Sequence, residues 1–286
     1  MAQKSSASAD AAAHQPLYRV QVLDRAILVI DILAVAGVEL GPSEIAGRVG
    51  LHKSTIHRLL AVLEGHRLVS RSPSDGKYVL GARILELANR SAAHLPLRIG
   101  AGPVLQRLVN DTDETAHVAV LDGAEMVSLT NVETPCNVRL PSAVGRRSAI
   151  YCTAIGKCAT AFLSDGDVTR LLALQTFRRL THQTIVTPNA FKEELGRVRE
   201  RGFAVDDEES HQGLRCVSAP VRDVNDRVIA AISVTGPAFR VTRQRVPSIA
   251  RSVMGAARDL SAAIALTGPP RQDSASHSQH SVGRPA

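Results

Sequence analysis

The stretch PSEIAGRVGLHKSTIHRLLAVLEGHRLVSRSPSDGKYVL, residues Pro42–Leu80, decides the fold, because it reads as helix, tight turn, helix and small hairpin. In Lys53 to Glu64, Ile56, Leu59, Leu60 and Leu63 recur at i, i+3, i+4 and i+7 and make one apolar stripe that must face inward. Ser54, Arg58 and Ala61 then point the opposite way, with Lys53, Thr55 and His57 near the edges. That outward surface is basic, hydrogen-bonding and short, as a DNA major groove requires. Upstream, Ser43 is the expected N-cap of a short helix that carries Ile45, Ala46 and Val49 inward, and Gly50 supplies the turn. Downstream, Leu68 to Arg71 and Lys77 to Leu80 flank Pro73-Ser74-Asp75-Gly76, and Asp-Gly between extended runs signals a hairpin. A hairpin directly after the second helix is the wing of a winged helix-turn-helix. A preceding helix, Leu23 to Ala36, offers Leu23, Ala26, Ile27, Ile30, Leu33 and Ala34 at helical spacing to complete a three-helix core.

The chain has 286 residues, more than a lone DNA-binding unit needs and enough for two cores. Its formal net charge of +7 suits a polyanionic partner, although both signs are interspersed. With Trp absent and only 3 Tyr and 5 Phe, the composition argues against stacking platforms for single strands, and duplex recognition fits better. No apolar run reaches the roughly 18 residues of a membrane span. Met1 to His14 lacks the charged head and hydrophobic stretch of a secretion signal, so the expected location is the cytoplasm, with no membrane partner. Cys136, Cys152, Cys158 and Cys216 are scattered without a Cys-x-x-Cys pair, which suggests neither a zinc site nor a disulfide framework. Cys216, in an apolar run, reads as a buried inert thiol.

The expected domain plan is a disordered tail over residues 1–17, the winged unit over 18–80 and a linker helix over 81–95. An α+β domain follows over 96–266, then a second disordered tail over 267–286. In the linker, Ile84, Leu87, Ala88 and Ser91 share a face suited to pairing two subunits, and Pro96 marks the boundary. The α+β domain begins with a helix to about Val109, interrupted early by Pro103, and a hairpin around Asp122-Gly123. Helices follow from Thr153 or Ala154 through Phe162, over Val168 to Leu174, and over Pro188 to Arg201. Strands at Phe203 to Asp206, Val217 to Val221 and Val228 to Val234 precede a last helix, Val246 to Ala265. Strands with interspersed helices and a hairpin near each end indicate an antiparallel sheet.

No catalytic constellation is visible. Gly156-Lys157 lacks the glycine five residues earlier and the following Ser or Thr of a phosphate loop, because Tyr151 and Cys158 stand there, so Gly156 reads as a close-packing glycine. Asp206 to Glu209 with His211 could hold a metal only by converging from one extended segment, and a solvated strand end is the expected reading. No metal, cofactor or enzymatic activity is therefore expected. The competing reading is an enzyme that uses Cys216 or those acids, with the N-terminal unit mediating protein contacts only.

The order of helix-turn-helix, Tyr78-Val79-Leu80-Gly81, Thr153-Ala154-Ile155-Gly156-Lys157, Gly213 to Val221 and Ala230 to Pro237 resembles IclR-type bacterial transcriptional regulators over roughly Tyr18 to Leu266. The resemblance implies a homodimer or dimer of dimers whose winged domains read double-stranded operator DNA. It also implies C-terminal GAF-like domains that bind a small organic-acid effector. Carried over motif by motif, the effector pocket is Leu140, Ala154, Ile155, Asp206, Cys216, Ser233 and Thr235, and the DNA set is Lys53, Ser54, Thr55, His57 and Arg58 with Arg71 and Lys77 from the wing. Asp206 would repel an anion unless it were protonated or bonded to a donor, so it receives a ligand hydroxyl or orders the pocket. Two departures from the family pattern, Ala149 with Tyr151 and Asn225-Asp226, bear on pocket entry and loop shape. A ligand-free oligomerisation domain is the remaining alternative.

Overall fold

A computed structural model describes residues 20–90, 95–137 and 144–266, so the expectations for both tails, for Ser91 and for Leu140 lie outside the described residues. The chain divides into two compact units, Met1–Leu95 and Pro96–Ala286.

The first unit contains α1 (Gln21–Ala36), α2 (Pro42–Val49), α3 (Lys53–Gly65), β1 (Val69–Arg71), β2 (Tyr78–Leu80) and α4 (Ala82–Arg90). Ile56, Leu59, Leu60 and Leu63 of α3 are all buried, against Val29 and Leu33 of α1, Ile45 and Ala46 of α2, and Val69 and Tyr78 of the hairpin. Each such side chain contributes about 1.5–3 kcal/mol on full burial. Two expectations need correction. On α1, Val29 and the expected Leu33 are buried and the expected Ala26 and Ile30 pack beside them, whereas Leu23 and Ile27 are 58% and 56% exposed and Ala34 is exposed too. α1 carries apolar residues nearly all round, so periodicity does not single out one face. Ser43 does not cap α2: Gly41 is the N-cap, Pro42 stands in the first turn, and the Gly41 N–H donates to Glu44 Oε2 at 2.7 Å. Gly50 closes α2 with φ 73° in the left-handed region.

β1 and β2 pair antiparallel from Val69↔Leu80 to Arg71↔Tyr78, and Leu40 adds an isolated antiparallel bridge to Tyr78. Gly81 follows because a Cβ there would lie 2.1 Å from the Arg67 carbonyl oxygen. Leu85 and Leu87 of α4 are exposed.

The second unit is built on a six-stranded antiparallel sheet of order β5-β4-β3-β8-β7-β6. Its strands are β3 (Thr115–Asp122), β4 (Glu125–Val132), β5 (Arg147–Ala149), β6 (Ala204–Asp207), β7 (Leu214–Arg222) and β8 (Val228–Pro237). One face, carrying Val118, Val217, Ile232 and Val234, packs on α5 (Leu95–Thr112) and α9 (Val246–Leu266). α5 runs unbroken through Pro103, contrary to the expected interruption. The opposite face presents Ala119, Ala204 and Ala231 to α6 (Ala154–Ala161) and α8 (Pro188–Arg201), with α7 (Asp165–Ala173) in the same core. Alanines on this face let α6 approach closely. Gly156 meets the backbone of Ile150 so tightly that a Cβ would fall 2.3 Å from its carbonyl oxygen. Sequence reasoning missed β5, which is only three residues long at the sheet edge.

Candidate functional site

The winged unit presents a polar flank on α3. Lys53, Ser54, His57 and Arg58 are exposed and Thr55 is partly so, opposite the buried stripe. The start of this helix is left open: its N-cap, His52, makes no side-chain capping bond and the first turn holds no acid. An uncapped helix start carries partial positive charge and free N–H groups, and Lys53 beside it adds to the positive potential, so the local chemistry favours an anion such as a phosphate. On the wing, Arg71 lies over the Tyr78 ring at 5.9 Å from its centroid, and Lys77 pairs with Asp75 at 3.0 Å. That partner raises the Lys77 ammonium above its ordinary value.

In the second unit, the sheet face that carries the alanines becomes polar toward one end. Register sets Thr115 of β3 opposite Thr235 of β8, Thr235 opposite Cys216 of β7, and Cys216 opposite Asp206 of β6. His117 and Ser233 face each other one step further along. These rows floor a cavity of about 110 Å³, roofed in part by the start of α6. Ala154, Ile155, Asp206, Cys216, Ser233 and Thr235 all line it. So do residues that sequence reasoning did not single out for this site, among them His117, Ser128, Arg146 and Ser210.

Hydrogen bonds separate the lining into two kinds. Ser233 Oγ donates to the Val217 carbonyl at 3.1 Å and Thr235 Oγ1 donates to Cys216 Sγ at 3.3 Å. Ser233 is thus satisfied internally, on a strand inside the sheet rather than at its edge. Asp206 is fully buried and accepts from the N–H of Glu209 at 2.7 Å, the N–H of Ser210 at 3.2 Å and the Ser210 hydroxyl at 2.5 Å. Its carboxylate orders the turn after β6, although burial raises its pKa. By contrast, His117 Nδ1 and Ser128 Oγ are buried without a hydrogen-bond partner among the described residues. Burial, with Arg146 adding repulsion, lowers the His117 pKa to about 4, so the ring is neutral near pH 7.

The acidic run is not a solvated strand end. Glu209 is buried beside Lys157, itself 1% exposed, and the Lys157 ammonium donates to Glu209 Oε1 and to the Val205 carbonyl at 2.9 Å. Burial pushes the Glu209 carboxyl up to about 7 against the pull of Lys157. The pair ties α6 to the end of β6 across a sequence separation that no local pattern encodes. No group of three or more His, Cys, Asp or Glu residues among the described residues is arranged to hold a metal. Burial pushes the thiols of Cys152 and Cys158 up to about 12 and raises that of Cys216, which removes thiolate character. No helix among the described residues is long and apolar enough to cross a membrane.

Comparison with known proteins extends this picture. Residues 22–73 match the model of the IclR helix-turn-helix domain, and residues 89–262 match that of the bacterial transcriptional regulator IclR C-terminal domain. The HTH-type transcriptional regulator XynR of Escherichia coli is 33% identical over 245 residues, covering 86% of this chain and 97% of XynR. The transcriptional repressor IclR of the same organism is 31% identical over 247 residues, covering 86% of this chain and 90% of IclR. The crystal structure of Thermotoga maritima IclR superposes with a TM-score of 0.70 at 27% identity, covering 86% of this chain and all of that one. These relatives are transcriptional regulators rather than enzymes.

Proposed function

The chain belongs to the IclR family of bacterial transcriptional regulators, with a helix-turn-helix DNA-binding domain, and we propose that it is a cytoplasmic regulator that reads operator DNA under control of a small organic acid. In this reading α3 enters the major groove with Lys53, Ser54, Thr55, His57 and Arg58, while Arg71 and Lys77 reach backbone or minor groove from the wing. The reader is the segment 18–80, the linker helix 81–95, and the ligand domain 96–266. Self-association as a homodimer or dimer of dimers matches a palindromic operator. The acid occupies the cavity lined by Ala154, Ile155, Asp206, Cys216, Ser233 and Thr235, and shifts the readers by binding one arrangement more tightly than another. The observation that carries the DNA reading is the polar flank of α3, exposed at an open helix start opposite a fully buried stripe.

The test is a gel shift of the full chain against its own upstream DNA at stated salt, with and without small carboxylates. A discrete complex that outcompetes bulk DNA, and that a carboxylate strengthens or dissolves, supports the proposal. Binding that ignores sequence refutes the operator reading, and specific binding indifferent to every acid refutes the effector reading.

A further inference from the structure

We infer that the cavity wall built by His117, Ser128 and Arg146 is a second subsite, so that the occupant is a short dicarboxylate bearing a hydroxyl or oxo group between its ends. This rests on the proposal that the cavity takes an organic acid, and adds which class of acid.

One anionic end has its place at α6. Thr153 Oγ1 accepts from the Gly156 N–H at 3.2 Å, and the N–H groups of Ala154 and Ile155, in the same first turn, precede any intrahelical acceptor. The other end has its place at Arg146. The Ser128 N–H donates to the Arg146 carbonyl at 3.0 Å and the Gly145 N–H donates to the Ser128 carbonyl at 2.7 Å, which fixes Arg146 alongside Ser128 at the cavity mouth. Arg147, next in the chain, is bonded to Asp122 at 2.9 Å and to Glu125 at 2.6 Å. Arg146 has no ion-pair partner among the described residues, and its planar guanidinium is shaped to take a carboxylate in two parallel bonds.

The same cavity holds two unmet groups. Ser128 is 8% exposed and its Oγ is unpartnered, as is His117 Nδ1. A buried polar atom without a partner is a standing penalty that a ligand atom can remove. The neutral imidazole offers a single hydrogen bond at Nδ1 rather than a charge, which suits a hydroxyl or oxo oxygen and not a third carboxylate. The floor residues Ser233, Thr235 and Asp206 already have internal partners, which leaves discrimination to this wall.

The experiment is isothermal titration of the full-length protein with tartronate, malonate, lactate and acetate. Malonate should bind at least about tenfold tighter than acetate, and tartronate tighter than malonate. Arg146→Gln should weaken both dicarboxylates about tenfold while leaving lactate within about twofold, and Ser128→Ala should erase the advantage of tartronate over malonate. Equal affinity for malonate and acetate, or an Arg146→Gln loss shared equally by mono- and dicarboxylates, overturns the subsite and leaves the acid pocket standing. Silence toward all four acids overturns both.

Discussion

Replacing Lys157 by Met is the most direct test of how the second unit is held together. Methionine keeps most of the length and volume but removes the charge, so Glu209 loses its cation and Val205 loses the bond its carbonyl accepts. The stranded carboxyl then takes the cheaper of two routes. Remaining ionised while buried and unpaired costs about 3–5 kcal/mol. Beside Lys157 the carboxyl already sits at about 7, so near neutral pH it is half protonated in the folded chain, and losing Lys157 completes that protonation at a further cost of about 0.4 kcal/mol. With about 1 kcal/mol for the lost bond to Val205, the expected destabilisation is about 1.5 kcal/mol at neutral pH. The sign with pH follows from protonation: above about pH 7 the intact pair ionises while the stranded carboxyl must still take up a proton, so the penalty grows by about 1.4 kcal/mol per unit until it reaches the cost of an unpaired buried charge. Urea melts of the full chain followed by circular dichroism, at about pH 7 and about pH 9, read both values. Adding Glu209→Gln to Lys157→Met should remove this pH dependence, since no charge is then left unpaired. A Lys157→Met penalty that stays level or shrinks between those two pH values would refute the reasoning.

Three further outcomes follow from the same structure. Arg58→Ala should weaken specific operator binding by about 1–3 kcal/mol with little change on bulk DNA, measured by competition gel shift; equal losses on both would make Arg58 a phosphate contact instead. Gly81→Ala forces a Cβ against the Arg67 carbonyl oxygen at 2.1 Å, so the melting of the winged unit should drop by about 1–3 kcal/mol or more, and an unchanged melt would contradict that contact. His117, lowered from 6.5 to about 4, binds a proton more readily unfolded than folded. Its contribution is therefore complete above about pH 6.5 and is lost as pH falls toward 4; His117→Gln should flatten this part of the stability profile, and an unaltered profile would count against a buried neutral ring.

How much was legible in the sequence depended on whether the signal was local. The α3 stripe was plain because Ile56, Leu59, Leu60 and Leu63 recur at helical spacing with only Ala61 and Val62 apolar off the stripe, and all four are buried. The mirror case is α1, where Val22, Leu28, Val35 and others blur the periodicity, and the chosen stripe put the exposed Leu23 and Ile27 inside. The start of α2 misled because Ser43 looks like a cap, while a proline at the first turn moves the cap back to Gly41. In the second unit the strands and helices followed from β-branched runs and turn residues, and the family motifs led to six residues that line one cavity. The Lys157–Glu209 pair and the Ser128–Arg146 wall stayed hidden, since both arise from chain segments that meet only once the sheet has formed.

The two candidate sites share a physical signature. Much of the fold pairs its polar groups: Glu114 receives two bonds from Arg240, Arg147 takes two acids, and Asp206 is filled by its own turn, while Glu209 Oε2 and the side-chain-uncapped start of α1 are exceptions. At the start of α3 and along the His117–Ser128–Arg146 wall the exceptions gather beside basic side chains: a helix end without a side-chain cap, two buried unpartnered atoms and, among the described residues, an arginine without an acid. Unmet hydrogen-bonding capacity is a liability in an isolated domain, and it becomes affinity when a complementary anion arrives. Both places favour negative charge, but at different scales. An exposed helix flank with flexible basic side chains suits an extended polyanion, whereas a half-open cavity of about 110 Å³ suits a compact acid. On the proposed reading one chain answers two anions, and the smaller would govern the larger only through the energy difference it imposes between arrangements of the readers.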